Sequence, residues 1–246
     1  MPTQTTAHTN GPGSFRGQTH PWLFTNRRDA GRQLAKHLEG FRGHRPYVLA
    51  LPRGGVPVGF EVARALRAPL DVLPVRKIGA PGHREYGIGA VAAGGGFALN
   101  VEAVRALGVS GAAIEAIANE EIVELDRRVH LYRGEEPLPD LQGYTAIVTD
   151  DGLATGMSAL AAIRSVRTLH PARIVLAAPV CAAETSAELC PEVDDLVWVA
   201  QPAPFIAVGV WYRTFDQTSD EEVLALLQRA RDERSAATSV GEDGTS

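Results

Sequence analysis

Cysteine is scarce: Cys181 and Cys190 are the two in 246 residues, and no histidine pattern accompanies them. That excludes a disulfide framework and a cysteine–histidine metal site, and it reads as two small hydrophobes in a reducing compartment. Positive charge is short as well. The 24 Lys and Arg face 29 Asp and Glu, a net charge of -5, and no Lys/Arg run interrupts the balance, so a nucleic-acid surface is not expected. No apolar segment is long enough to span a bilayer. The start of the chain lacks the apolar core of a secretory signal, so the expected location is cytoplasmic. No G-x-G-x-x-G opens a helix, so a dinucleotide fingerprint is missing too.

What is present suits one α/β domain with a sizeable core: 45% of the residues are hydrophobic and 22% charged. Residues 1–20 are rich in Thr, Gly, Asn and Pro, and residues 235–246 are similar. Both read as disordered tails around a domain at 21–234. His8 and His20 lie in or beside the first tail and are given no metal role. Between the tails, short apolar runs alternate with helical periodicity. Tyr47–Leu51, Asp71–Val75, Ile88–Ala92, Ala146–Val148, Arg173–Pro179 and Asp195–Val199 read as strands. Helices are expected over Arg27–Leu38, from Pro57, from Ser110, over Ala159–Leu169, Ala182–Leu189 and Asp220–Arg229. Alternation of this kind predicts a mostly parallel twisted sheet with helices on both faces.

The most informative stretch runs from Thr145 to Ala159. A buried strand leads into Asp150 and Asp151, then a small-residue turn from Gly152 to Gly156, then a helix beginning near Met157 or Ser158. The free N–H groups of a first helical turn and the positive end of the helix dipole make such a turn an anion site. Thr155 and Ser158 add hydroxyl donors. Ionised carboxylates only accept, so beside a phosphate they require a donor to face, either sugar hydroxyls or a metal ion. The pattern therefore asks for a phosphorylated ribose: diol on Asp150 and Asp151, phosphate in the cradle of Ala154, Thr155, Gly156, Met157 and Ser158.

A second strand–turn–helix unit sits earlier, where Tyr47–Leu51 meets Pro52-Arg53-Gly54-Gly55. Arg53 beside two glycines sets a cation next to exposed backbone N–H groups, a second anion pocket. Alone, R-G-G marks no more than a turn. Both turns fall at the carboxyl ends of strands, where ligands of open parallel sheets bind. Arg76 and Lys77 then stand at the base of a Gly/Pro-rich segment through His83, Arg84, Glu85, Tyr86 and Gly87, which reads as a long lid loop between two strands. His83 and Glu85 have the chemistry for proton transfer, with no partner to name. The helix from Ser110 carries a stripe through Ile114, Ile117, Ile122, Leu125, Val129 and Tyr132 and is assigned packing alone. Near the C-terminus, F-I-A-V-G-V-W-Y-R-T-F-D concentrates four aromatics in a chain that is 6% aromatic.

Residues 146–159 resemble the PRPP-binding signature of the type I phosphoribosyltransferases: a hydrophobic strand, two acids and a T-G-x-[ST] turn, with Gly152 where a larger apolar residue is common. Across residues 24–228 the runs R-D-A-G-R, A-L-P-R-G-G-V, V-R-K-I-G-A-P, E-x-G-I-G-A-V, T-D-D-G-x-A-T-G and V-G-x-W-Y-x-x-F are similar to a group of bacterial predicted phosphoribosyltransferases. The resemblance implies transfer of ribose 5-phosphate from PRPP to a nitrogenous base or related nitrogen nucleophile, with release of pyrophosphate. It implies that Asp150, Asp151, Arg53 and Lys77 carry catalysis, and that Arg53, Gly54, Gly55, Arg76 and Lys77 hold pyrophosphate. A C-terminal hood at about 200–217 would offer Phe205, Trp211, Tyr212 and Asp216 to the acceptor. Mg²⁺ would arrive with PRPP, held by no dedicated protein cage and met by Asp150 and Asp151 through water. The partners implied are small molecules, not nucleic acid or membrane, with a homodimer allowed. The alternative is a non-catalytic PRPP- or nucleotide-sensing regulator on the same fold.

Overall fold

The structure is a computed structural model that describes residues 22–242, with side chains through residue 236. The tail expected at 1–20, with His8 and His20, lies outside the described residues. In chain order the elements are α1 (Arg27–His37), β1 (Pro46–Ala50), α2 (Gly55–Leu66), β2 (Leu70–Val72), β3 (Val75–Ala80), β4 (His83–Ala92), β5 (Gly96–Leu99) and α3 (Val101–Ala106). There follow α4 (Gly111–Arg133), β6 (Thr145–Thr149), α5 (Met157–Arg167), β7 (Arg173–Val180), α6 (Ala183–Leu189), β8 (Asp195–Ala200) and α7 (Asp220–Glu242).

Five strands form an all-parallel sheet in the order β2-β1-β6-β7-β8. Successive side chains of a strand point to opposite faces, and here both faces are covered. Val48, Ala50, Ile147, Val175, Ala177 and Val197 enter one core with residues of α1, α2 and α7. Their neighbours Leu49, Ala146, Val148, Ile174, Leu176 and Leu196 enter the other, with Ala159, Ala162, Ile163 and Val166 of α5. Burial on both sides is why these strands read as continuous apolar runs and not as alternating ones. The α/β sheet with helices on both faces is therefore as expected from the sequence.

Residues 71–75 do not form one strand. β2 ends at Val72, and Val75 already belongs to a separate antiparallel sheet, β3-β4-β5. Pro74 has no N–H to continue the ladder, so the chain leaves the parallel sheet there. The segment expected as a long lid loop is also different. β3 and β4 pair from Val75↔Ala92 to Ala80↔His83, and the chain reverses at Pro81-Gly82, with Gly82 at φ +74°. The connection is a hairpin flap. Its outer half is hidden from pattern reading because His83 to Gly87 are exposed and only Ile88 onward is buried.

Three further differences are local. Helix α3 has no counterpart among the expected elements; Asn100 caps it by accepting from the Ala103 N–H at 2.9 Å. On α4 the face toward the protein is Ile114, Ala118, Leu125 and Tyr132, while Ile122 is exposed. Helix α7 runs to Glu242, past Ser235, where a disordered tail is expected from composition; extending a formed helix adds one hydrogen bond per residue fixed and needs no new nucleus.

Candidate active site

The two glycine turns meet. β1 and β6 are hydrogen-bonded neighbours in register from Pro46↔Thr145 to Ala50↔Thr149, so the turns that follow them emerge side by side. The Leu51 N–H donates to the Thr149 carbonyl at 2.8 Å, and the Gly55 N–H to the Leu51 carbonyl at 3.0 Å. The Pro52–Arg53 peptide is cis. A Cβ on Gly54 would lie 2.0 Å from Asp151 Oδ2, and one on Gly55 would lie 2.7 Å from the Thr149 carbonyl oxygen. Both positions therefore demand glycine for close approach.

Downstream, the turn after Asp151 runs into α5 at Met157, where a helix start is expected. Gly156 adopts φ +71° at the start of α5, which has no side-chain cap. Its first-turn amides are thus left for a ligand. Thr185 donates its hydroxyl to the Ala154 carbonyl and holds the turn. A Cβ on Gly156 would meet Thr185 Cγ2 at 2.8 Å. Ala154 and Thr155 are exposed; Ser158 is half-buried and Met157 lies at the first position of the helix.

A cleft of about 690 Å³ joins Asp150, Asp151 and Ser158 with Arg76, Lys77 and Arg84 of the flap and Glu121 of α4. Burial, followed by the neighbouring Asp151 charge, holds the Asp150 carboxyl well above its usual value; Lys77 and Arg27 pull the other way. Burial also raises Asp151, against the pull of Arg27. Two acids held this way gain most from a ligand that donates hydrogen bonds to them. A larger cavity of about 1010 Å³ lies under the flap tip, between Tyr86 and Leu107, but no acid pair lines it.

Several of the expected site residues are turned away from the acid pair or already have partners. Arg53 turns toward α7, with Nη1 3.7 Å from Asp220 Oδ1. Arg76 lines the cleft but is paired with Glu121 at 2.7 Å. In the hood, Tyr212 is 3% exposed and donates its hydroxyl to the Asp151 carbonyl at 2.6 Å. It is thus a packing group and not an open stacking face. Burial, then the Asp151 charge, pushes its pKa above the ordinary phenol value, so it stays a donor. Phe205 and Trp211 are half-buried with ring centroids 6.3 Å apart. Asp216 lines a separate small cavity of about 220 Å³ with Asn26 and Gln217. The hood also has a partner the sequence does not suggest: the Leu23 and Phe24 N–H groups both donate to the Trp211 carbonyl, at 2.9 and 3.0 Å.

The contact of the acid pair that the sequence signals least is with Arg27, which the sequence shows only as part of a packing helix. Its Nε lies 2.7 Å from Asp151 Oδ2. No local periodicity signals a contact 124 residues away in the chain. Among the described residues no group of three or more His, Cys, Asp or Glu is placed to hold a metal ion. Asp150 and Asp151 are hard oxygen donors that fit an ion brought by a ligand and its waters.

Comparison with known proteins shows the family of the chain. The model of the phosphoribosyl transferase domain matches residues 25–204. Two Mycobacterium tuberculosis proteins, from strains CDC 1551 and H37Rv, are each 46% identical over 209 residues and are named provisionally as phosphoribosyl transferases. Those matches cover 85% of this chain but 47% of the relatives, so the chain spans about half their length. A solved protein of Thermus thermophilus is 39% identical and superposes with a TM-score of 0.70, covering 84% of this chain and 98% of its own.

Proposed function

The chain belongs to the phosphoribosyl transferase family, and from that premise we propose that it transfers ribose 5-phosphate from PRPP to a nitrogen nucleophile, releasing pyrophosphate. One observation supports the reading: two glycine turns lie at adjacent parallel strand ends, and Asp150 and Asp151 of the second pack against Gly54 and Gly55 of the first. The ribose diol donates to Asp150 and Asp151. The 5-phosphate docks on the uncapped start of α5, with Thr155 and Ser158 beside it. The diphosphate lies toward Gly54, Gly55 and Lys77, within reach of Arg53 and Arg76 once these release Asp220 and Glu121.

In the reaction the bond from the anomeric carbon to the diphosphate oxygen breaks, and the electron pair leaves with pyrophosphate. The acceptor nitrogen supplies the pair that forms the new bond, then gives up its proton. The anomeric carbon passes through an oxocarbenium-like state, which a carboxylate pair close to the sugar stabilises by charge. A protein nucleophile is not needed. Asp150 and Asp151 are hard oxygen donors that would meet Mg²⁺ carried in with the ligand, and such an ion would supply positive charge against the leaving group. The acceptor approaches from the hood, where Phe205 and Trp211 offer aromatic surface.

The test is incubation with PRPP, Mg²⁺ and a panel of nitrogenous bases, with pyrophosphate as the readout. Base-dependent release is expected. PRPP binding with no release across the panel would favour a sensor on the same fold.

A further inference from the structure

Arg27 makes three different contacts with one planar group. Its Nε holds Asp151 Oδ2 at 2.7 Å. Its Nη1 donates to the Asp216 carbonyl at 2.6 Å. Its face lies on the Phe215 ring, with the guanidinium carbon 3.8 Å from the centroid. Phe215 in turn packs on Tyr212 at 5.0 Å between centroids, and Tyr212 returns to the Asp151 carbonyl. The Asp151 residue is thereby held from both its carboxylate and its backbone, through the hood. The Arg27 and Asp151 side chains are 12% and 16% exposed, so this is a shielded pair and not a solvated surface contact.

A simple neutralising charge would need none of that geometry; a lysine could supply it. Arginine's flat fork and face are what allow an edge contact and a stacking contact at once. On its other side Asp151 Oδ2 abuts Gly54, where a Cβ would come within 2.0 Å. With Oδ2 taken by Arg27 and blocked by Gly54, the carboxylate keeps one orientation toward the cleft that it lines.

We propose that Arg27 is a positioning residue for sugar recognition: it aims the Asp151 carboxylate at the ribose diol and ties that aim to the hood through Phe215 and Asp216. The proposal rests on the reading of Asp150 and Asp151 as the diol acceptors. Arg27 itself touches no reacting atom. Its loss should therefore weaken ligands that present a diol and leave the phosphate contact as it is.

The experiment is calorimetric titration of ribose 5-phosphate and 2-deoxyribose 5-phosphate into wild type, Arg27→Gln and Arg27→Lys. The two ligands share the phosphate and differ in the diol. Wild type is expected to prefer ribose 5-phosphate. Arg27→Gln should weaken that ligand by about tenfold, as loss of an oriented charge-assisted bond implies, with 2-deoxyribose 5-phosphate within about twofold of wild type. Arg27→Lys, which cannot reach Asp151 and Asp216 while stacking, should recover part of the preference. An Arg27→Gln protein with the wild-type preference overturns the assignment while leaving the site reading intact. Equal weakening of both sugars also overturns it, since that is what a purely structural role gives. A wild type with no preference overturns the site reading and this inference with it. Should Arg27→Gln fail to fold, Arg27→Lys carries the comparison, with a reduced preference expected and an unchanged one overturning the proposal.

Discussion

Tyr212 donates its hydroxyl to the backbone carbonyl of Asp151 at 2.6 Å, which fastens the hood to the turn that holds the acid pair. Its ring is wedged between Phe24, 5.2 Å away, and Phe215, 5.0 Å away. Tyr212→Phe would leave the packing and strand the carbonyl. Loss of a partner to a buried acceptor costs about 1–3 kcal/mol. Urea denaturation of the variant should show a loss of that size, with the slope of the transition unchanged.

Gly54→Ala tests the close approach of the two turns. Gly54 has φ -61°, a conformation open to any residue, so backbone strain contributes nothing. The added methyl instead lands 2.0 Å from Asp151 Oδ2, and the carboxylate must move. Overpacking of this kind costs about 1–3 kcal/mol. The expected outcome is a lower thermal midpoint together with weakened ribose 5-phosphate binding by calorimetry.

Asp150→Asn should separate stability from activity. Burial raises the folded-state pKa of Asp150 above its unfolded value, so the folded form holds its proton to higher pH than the unfolded chain does. Wild-type stability from this group is intact below the unfolded value and is lost as pH rises toward the folded one. An amide cannot charge, and its oxygen still accepts from the Asp151 N–H, now 2.8 Å from Asp150 Oδ1. The variant should melt above wild type at neutral pH and alongside it in acid below the usual carboxylate range. Pyrophosphate release should fall at least about tenfold, the weight of one charge-assisted bond; full release would remove Asp150 from the mechanism.

Lys77→Ala addresses the diphosphate side. Lys77 is exposed and lines the cleft, so its removal should change stability by no more than about 0.5 kcal/mol. Its charge faces the acid pair and the space assigned to the diphosphate. The KM for PRPP should rise about tenfold, as for a lost charge-assisted contact, and the affinity for pyrophosphate should fall in parallel. Steady-state kinetics beside a melting curve decide the point.

Much of this site was legible as one-dimensional pattern. The acid pair, the glycine after Thr155 and the R-G-G turn each sit on a local strand–turn–helix unit whose chemistry depends on neighbours in the chain. The flap escaped because His83 to Gly87 carry no buried face, and period-two alternation exists only where one side is dry. The directions of Arg53 and Arg76 escaped for a different reason. Each is held by a carboxylate, Asp220 and Glu121 respectively, that lies on a distant helix.

From the sequence alone came the parallel sheet, the two glycine turns at its strand ends and the acid pair beside the second turn, since backbone preference, burial pattern and short-range spacing specify these. Only the tertiary structure decided which arginine contacts Asp151, that Tyr212 bonds the Asp151 carbonyl, and that the hood segment packs against Leu23 and Phe24. Those contacts join residues far apart in sequence, and their energies depend on burial and on angles that no local spacing encodes.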